Sequence, residues 1–121
     1  SLVIELILTG NIPSKKNSRI NLKSGVSIPS AKFTAWQNDA LWQIKQQTHK
    51  RFVKPVRLEA TVYFGANVRA DLDNRITSIL DMLVEAMVLQ DDKWQYVPEI
   101  HAKAEYRKGK PGALLRLVEL E

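Results

Sequence analysis

Alternating apolar and polar residues predict a chain built largely from short strands. In four stretches the side chains either alternate in this way or form a short β-branched run, as strands with a buried face do. These stretches are residues 2–9, 56–64, 99–106 and 113–120. Residues 20–28 contain a Ser24-Gly25 turn and predict a small hairpin, and the Gly-rich and Pro-containing stretch 108–112 predicts another turn.

Two stretches instead have the spacing of amphipathic helices. The first begins at Ser30, a typical N-cap residue, and extends to about Arg51. Its aromatic residues recur at helical spacing together with other apolar residues, so we expect their side chains to belong to the core. The second lies between Asp73 and Leu89, with Asp71 or Asp73 as its cap. Its apolar face consists of Ile76, Ile79, Leu80, Leu83, Val84 and Met87.

These elements predict one α/β (α+β) domain over residues 1–121, with two main helices. A chain of 121 residues that is 45% hydrophobic can bury one core. No run approaches the roughly 18 apolar residues of a membrane span, and the first apolar run lacks the basic start of a signal peptide. With no cysteine in addition, we expect a soluble, cytoplasmic protein that does not bind membranes.

The charge of the chain favours a polyanionic partner. Lys and Arg number 18 against 13 Asp and Glu, a net charge of +5, and such a balance is common in proteins that bind nucleic acid. Three of the cations lie in the loop 14–19, among small hydrogen-bonding residues suited to phosphate oxygens. The alternative is that this loop is only a solvated basic segment.

Two pairs of aspartates are the strongest candidates for chemistry. Asp71 and Asp73 follow the strand 56–64, and Asp91 and Asp92 follow the second helix. If the strand continued through Leu72, the first two carboxylates would share one side. The second helix would then have to bring Asp91 and Asp92 close to Asp71 and Asp73.

A cluster of carboxylates suits a hard divalent cation. Phosphodiester hydrolysis needs an activated water and a stabilised leaving oxygen, and carboxylate-bound Mg²⁺ supplies both. With no cysteine and only two histidines in the chain, the donor set favours Mg²⁺ or Mn²⁺ over Zn²⁺. The alternative is that Asp71 and Asp73 only cap a helix and that Asp91 and Asp92 only form a polar turn.

Three motifs together resemble the RusA-type Holliday junction resolvases, a family often encoded by phages and prophages. They are Gly10-Asn11-Ile12-Pro13-Ser14-Lys15-Lys16-Asn17, Arg69-Ala70-Asp71-Leu72-Asp73-Asn74 with Asp81 further along the helix, and Asp91-Asp92-Lys93. The resemblance covers nearly the whole chain. It implies a mixed sheet, a homodimer, and paired symmetric nicks in branched DNA during recombination and repair.

By this resemblance Asp71, Asp73 and Asp92 occupy the catalytic, metal-binding positions, with Asp91 as a neighbouring ligand. The implied cofactor is Mg²⁺, with Mn²⁺ as a substitute. Because acidic sites repel DNA, cations must surround them. The candidate DNA-binding residues are Lys15, Lys16, Asn17, Arg19, Arg69 and Lys93.

The departure from the family pattern is Thr77, at a position where the family commonly has a catalytically important lysine. This leaves a branched-DNA-binding protein with weak or absent catalysis as one alternative. A structural domain whose aspartates are only caps and turns is another. Cleavage of a four-way junction with and without Mg²⁺ separates the enzyme from both.

Overall fold

A mixed four-stranded sheet carries two helices on one face. The computed structural model describes residues 1–121. Its elements, in chain order, are β1 (Val3–Thr9), β2 (Arg19–Asn21), β3 (Ser27–Pro29), α1 (Ala31–Gln47), β4 (Val56–Phe64), α2 (Leu72–Glu85), β5 (Glu99–Tyr106) and β6 (Gly112–Glu119). The predicted fold class is confirmed.

The strand order in the sheet is β1-β6-β4-β5. β6 runs antiparallel to both β1 and β4, whereas β4 and β5 are parallel and are connected through α2. A turn joins β5 to β6, yet the two strands do not pair, because β6 lies between β1 and β4. The predicted hairpin forms separately, as β2 and β3.

Alternate residues along each strand point to the same face of the sheet, and that face is buried. Ile4, Leu58 and Leu117 lie on this face in neighbouring strands, with Ile4 and Leu58 both opposite Leu117. Side chains of α1 and α2 cover the same face, and together they form a core of 22 buried residues. Burial of apolar surface on this scale is the main source of stability for a chain of this size.

Helix α1 begins where its cap predicts but ends earlier. Phe33 N donates to Ser30 Oγ at 3.1 Å, which confirms the cap. Phe33 is buried as predicted, whereas Trp42 is 64% exposed, so the prediction that all aromatic side chains of this helix belong to the core is wrong for Trp42. The helix ends at Gln47 rather than near Arg51, with Thr48 in an extended conformation. The chain leaves the helix there because Phe52 is buried in the core and its backbone N–H bonds to Val88 O at 3.0 Å.

Helix α2 also ends before its predicted end, at Glu85 instead of Leu89. Met87 adopts a left-handed conformation with φ of 64°, and the N–H groups of Met87 and Val88 donate to Val84 O and Leu83 O, both at 3.0 Å. This is a Schellman motif, a common way to end a helix. Met87 is therefore 60% exposed instead of lying on the apolar face, where it was predicted.

The backbone groups of one edge of the sheet are covered by side chains, whereas those of the other edge are not. On the β1 edge, Gln47 accepts a hydrogen bond from Ile7 N and donates one to Ile7 O, both at 2.7 Å. Gln43 makes the same pair of bonds to Thr9, at 2.9 and 3.2 Å. Two side chains of α1 thus occupy backbone groups that another strand would use, whereas every residue of β5 at the other edge is exposed.

Neither helix is long and apolar enough to cross a membrane.

Met87→Gly is expected to raise the free energy of unfolding by about 0.5–1 kcal/mol. Glycine adopts positive φ without the cost of a Cβ, although part of the gain is offset by its freedom in the unfolded chain. Chemical denaturation measures the change, with Met87→Ala as the control, since alanine keeps the Cβ and should give little gain. If glycine is no more stable than alanine, the left-handed residue carries no strain.

Candidate functional site

Asp71 and Asp73 lie at the amino-terminal end of α2. β4 ends at Phe64, so the strand does not continue through Leu72 and the condition for the two carboxylates to share one side of a strand is not met. Asp71 is the N-cap residue of the helix, as one of the two predicted caps. Both side chains are exposed, and neither forms an ion pair. The positive end of the helix dipole stabilises their negative charge.

Asn74 contacts both carboxylates. Its side-chain Nδ2 donates to Asp71 Oδ2 at 3.2 Å, and its backbone N–H donates to Asp73 Oδ1 at 2.9 Å. The other oxygen of each carboxylate accepts no hydrogen bond from the protein and remains open to a ligand. Asn74 is uncharged, so the distribution of charged residues in the sequence does not point to it. Its position directly after Asp73 is the sequence feature that could have identified it as a site residue.

The basic loop is attached to α2 through a buried hydroxyl. Ser78 is fully buried, and its Oγ donates to Pro13 O at 2.7 Å and accepts from Lys15 N at 3.0 Å. A buried hydroxyl with both functions satisfied is a stable arrangement. It holds the loop against α2 one turn beyond Asn74, so the basic loop and the two carboxylates are carried by the same helix.

Lys15 takes part in this attachment. Its Nζ lies 2.8 Å from Asp81 Oδ1, and Gln37 Nε2 of α1 donates to Asp81 Oδ2 at 3.1 Å. The Lys15 and Asp81 side chains are 34% and 28% exposed. The ammonium of Lys15 is therefore directed at the protein, where it joins the loop, α1 and α2.

The other candidate DNA-binding residues of this region are more open to solvent. Lys16, Asn17 and Arg69 are exposed, and neither Lys16 nor Arg69 forms an ion pair. Arg19 is exposed too, but its guanidinium donates to Ser27 Oγ and Ser27 O in the β2–β3 hairpin, at 2.8 and 2.6 Å.

The second acidic pair lies beyond the other end of α2. Asp91 Oδ1 accepts from Asp92 N, and Asp91 Oδ2 accepts from Lys93 Nζ, both at 2.8 Å. The bond from Lys93 lowers the pKa of Asp91, and the same contact raises the pKa of Lys93. Asp92 is exposed and its carboxylate accepts no hydrogen bond from the protein, so it is the more available of the two.

The prediction that the helix brings Asp91 and Asp92 back to Asp71 and Asp73 is wrong within the single chain. Helix α2 has 14 residues, which at about 1.5 Å per residue separate its ends by about 21 Å. The segment after Asp92 also packs at the start of β4, where Val56 N donates to Tyr96 O at 2.9 Å. No three acidic or histidine side chains of the protomer are close enough to hold one metal ion.

Thr77 faces a groove between α2 and β5. Its hydroxyl donates to Asp73 O at 3.2 Å. The groove has a volume of about 510 Å³, and Asp73 is one of its lining residues. Apart from Asp73 and Thr77 its lining is apolar, and comprises Leu72, Ile76, Leu80, Ile100 and Ala102.

Comparison with known proteins adds a family match that spans most of the chain. Residues 10–117 match the family described as Endodeoxyribonuclease RusA. The chain is also similar to the Crossover junction endodeoxyribonuclease RusA of Aquifex aeolicus. The two are 25% identical over 115 residues, which cover 94% of this chain and 90% of that protein.

Lys15→Ala is expected to lower the free energy of unfolding by about 1 kcal/mol, because it removes a half-buried ion pair and leaves Asp81 with Gln37 alone. Lys16→Ala is the matched control and should change it by less than about 0.5 kcal/mol, since Lys16 has no partner. Urea denaturation provides the measurement. A double-mutant cycle between Lys15→Ala and Asp81→Asn that gives no coupling energy would contradict the assignment.

Proposed function

The chain belongs to the RusA family of endodeoxyribonucleases, and from that premise we propose that it resolves four-way DNA junctions by paired, Mg²⁺-dependent nicks. One observation carries the proposal. Asp71 and Asp73 lie side by side at a helix start without a cationic partner, each with one carboxylate oxygen unused. Structural aspartates at such a position normally cap the helix, yet Asp71 makes no side-chain cap bond.

The donor set at this helix start fits a hard divalent cation. Carboxylate oxygens are the ligands that Mg²⁺ prefers, and Mn²⁺ accepts the same ligands. When bound, the ion supplies an activated water and stabilises the leaving oxygen. In the protein, Asp71 and Asp73 would hold the ion, and Asn74 would keep the two carboxylates oriented for it.

A third carboxylate comes from a partner subunit in this proposal. Within one protomer Asp92 lies beyond the far end of α2, about 21 Å from the first pair along the helix. A two-fold axis perpendicular to α2 would place the start of one helix beside the end of its copy. Asp71 and Asp73 would then meet Asp91 and Asp92 of the partner subunit, twice per dimer.

The exposed surface at β5 supports such a dimer. The groove between α2 and β5 is apolar and begins beside Asp73. Ile100 and Tyr106 of β5 are 44% and 59% exposed. An uncovered edge strand is a template for pairing with another chain, and the β1 edge is unsuitable because Gln43 and Gln47 occupy it. A second copy of this chain, paired through β5 and α2, would cover the apolar surface.

A homodimer with two sites also suits the substrate. A four-way junction is resolved by two symmetric nicks, and two sites related by a two-fold axis can make both. The exposed cations Lys16 and Arg69 lie on the loops that flank the start of α2, where they would attract the phosphate backbone. In the same loop Asn17 would add an amide donor and Arg19 a cation that is also bonded to Ser27, and Lys93 would bring a further cation from the partner subunit.

Thr77 favours a second candidate function, a protein that binds branched DNA and cuts it slowly or not at all. Its hydroxyl is bonded to Asp73 O, and a hydroxyl cannot supply the positive charge of a lysine to the transition state. Lys93, the cation next to the second acidic pair, is bonded to Asp91. The two functions differ in whether bound junction is cleaved when Mg²⁺ is added.

Asp73→Asn is expected to slow junction cleavage at least about a hundredfold in Mg²⁺, because a metal ligand is lost. Binding of the uncleaved junction should stay the same or tighten, since the variant removes a charge that repels phosphate. Gel-shift and single-turnover cleavage assays measure the two quantities. Asp39→Asn, a change of the same charge on the exposed surface of α1, is the control and should behave as wild type. Wild-type cleavage by Asp73→Asn would rule out the site.

Mixing two inactive variants tests whether the site is shared between protomers. If Asp73 of one protomer acts with Asp92 of its partner, a mixed dimer of Asp73→Asn and Asp92→Asn has one intact site and one doubly altered site. After random subunit exchange about a quarter of all sites would be intact, and nicking should return to that level.

The control for this mixture is Asp71→Asn with Asp73→Asn. Those residues lie at the same end of α2, so each site of the mixed dimer lacks one of them and no activity should return. If the mixture of Asp73→Asn with Asp92→Asn is equally inactive although subunits exchange, Asp73 and Asp92 are not shared across the dimer.

A further inference from the structure

A second depression lies on the opposite flank of α2 from the apolar groove. This cleft, of about 500 Å³, is bounded by the basic loop, the first turns of α1 and the segment after β4. Among its lining residues Lys32 and Arg75 are cations, Asn11 and Asn17 are amides, and there is no carboxylate. In a protein with 13 acidic residues, a cleft with two cations and no acid has the composition of an anion site.

Arg75 is a half-buried cation without an acidic partner. Its Nη1 donates to Asp71 O at 3.2 Å, and its guanidinium carbon lies 5.9 Å from the centre of the Phe64 ring. Its Nε is buried and has no hydrogen-bond partner in the protein. An arginine has five N–H groups, and a buried one normally pairs with a carboxylate. Nε itself is closed to solvent, so the two NH2 groups of the partly buried guanidinium are the donors that Arg75 can offer to a ligand.

The other arginines that are partly buried are neutralised. Arg57 lies 2.9 Å and Arg116 lies 3.2 Å from Glu59. Arg75 differs from both in that its only hydrogen bond goes to a backbone carbonyl, one that belongs to a candidate metal-binding residue. Its charge is therefore held next to the acidic pair without being cancelled.

Lys32 is a cation in an unfavourable position for the helix that carries it. It lies in the first turn of α1, which has no acidic residue. The positive end of a helix dipole favours anions and disfavours cations. Lys32 therefore does not serve the stability of α1, and a conflict of this kind between a residue and its local structure is expected at functional sites.

We propose that this cleft binds a backbone phosphate of the DNA strand, and that Arg75 and Lys32 are the cations that hold it. The guanidinium of Arg75 suits two phosphate oxygens, whereas the ammonium of Lys32 adds a point charge. Because Arg75 is bonded to Asp71, the phosphate it holds lies near the phosphate to be cleaved. The inference rests on the proposed function, which it deepens by giving the path of the strand past the acidic pair.

Arg75 of this cleft also supplies a cation near Asp71 and Asp73, in a chain that has Thr77 where the family commonly has a lysine. Arg75 and Thr77 are two residues apart and so lie on opposite sides of α2. The helical spacing therefore makes Arg75 a poor substitute for a lysine at position 77. In the structure the Arg75 side chain nonetheless reaches the start of the helix at Asp71, so it holds the strand on one flank while the apolar groove occupies the other.

The test uses junction binding by the Asp73→Asn protein without Mg²⁺, so that cleavage plays no part. Adding Arg75→Gln should weaken binding at least about fivefold and reduce the slope of log affinity against log salt by about one. Lys32→Gln, at an exposed residue that folding does not need, should do the same. Arg51→Gln removes an equal charge from an exposed residue beyond the other end of α1 and should change both quantities much less.

The side-chain resonance of Arg75 Nε distinguishes the sources of the phosphate. A DNA oligonucleotide should shift it at micromolar concentrations, and inorganic phosphate should do so only at concentrations on the order of millimolar, as expected for a strand subsite. If inorganic phosphate binds as tightly as the oligonucleotide, the cleft is a site for a free anion and the strand proposal fails.

Arg75→Lys should recover part of the affinity, because the charge returns without the planar fork. If Arg75→Gln and Lys32→Gln both bind the junction as Arg51→Gln does, with the same salt slope, the proposal is wrong. That result would leave the nuclease intact, since Mg²⁺-dependent cleavage by the wild-type protein is measured separately. A wild-type protein that binds but does not cut would refute the nuclease and leave the cleft untouched.

Discussion

The fixed rise of an α-helix separates the two acidic pairs of this protein. Helix α2 carries Asp73 in its first turn, Ser78 and Asp81 in its middle, and leads to Asp91 after its end. At about 1.5 Å per residue the two acidic pairs cannot meet within one protomer. In the proposed dimer the same rigidity would let each α2 helix contribute one end to each of the two sites.

Ion pairs sort the charged residues of the protein into two groups. Lys15 with Asp81 and Lys93 with Asp91 are paired and hold segments in place. The carboxylates of Asp71, Asp73 and Asp92 have no cationic partner, and neither do the exposed cations Lys16 and Arg69 or the half-buried Arg75. An unpaired charge in a folded protein is stabilised by water or by a ligand. Of these six unpaired groups, all but Asp92 lie near the start of α2, whereas further unpaired charges such as Asp39 and Arg51 are spread over the exposed surface.

The two edges of the sheet indicate which surface remains for assembly. The side-chain amides of Gln43 and Gln47 make hydrogen bonds to backbone groups of β1 that another strand would otherwise make. Such protection prevents unwanted pairing with another strand. β5 has no equivalent cover, and the apolar groove beside it leads to Asp73. The unprotected edge and the Asp71–Asp73 pair are therefore close together, which is the geometric reason why the proposed function links dimer formation to catalysis.

Local patterns in the sequence determined the secondary-structure elements and the family of the protein. The alternation over residues 56–64 and the cap at Ser30 depend on neighbouring residues only, and both are as predicted. The motif around Asp71 and Asp73 identified the family for a similar reason, since its residues are adjacent in the chain. Only the tertiary structure decided the helix ends, because burial of Phe52 and Val88 stops α1 and α2 early. It also decided that Lys15 binds Asp81, that Arg75 reaches Asp71, and that Asp92 lies far from Asp73. These depend on contacts between distant segments and on the length of a rigid helix, which spacing along the chain does not contain.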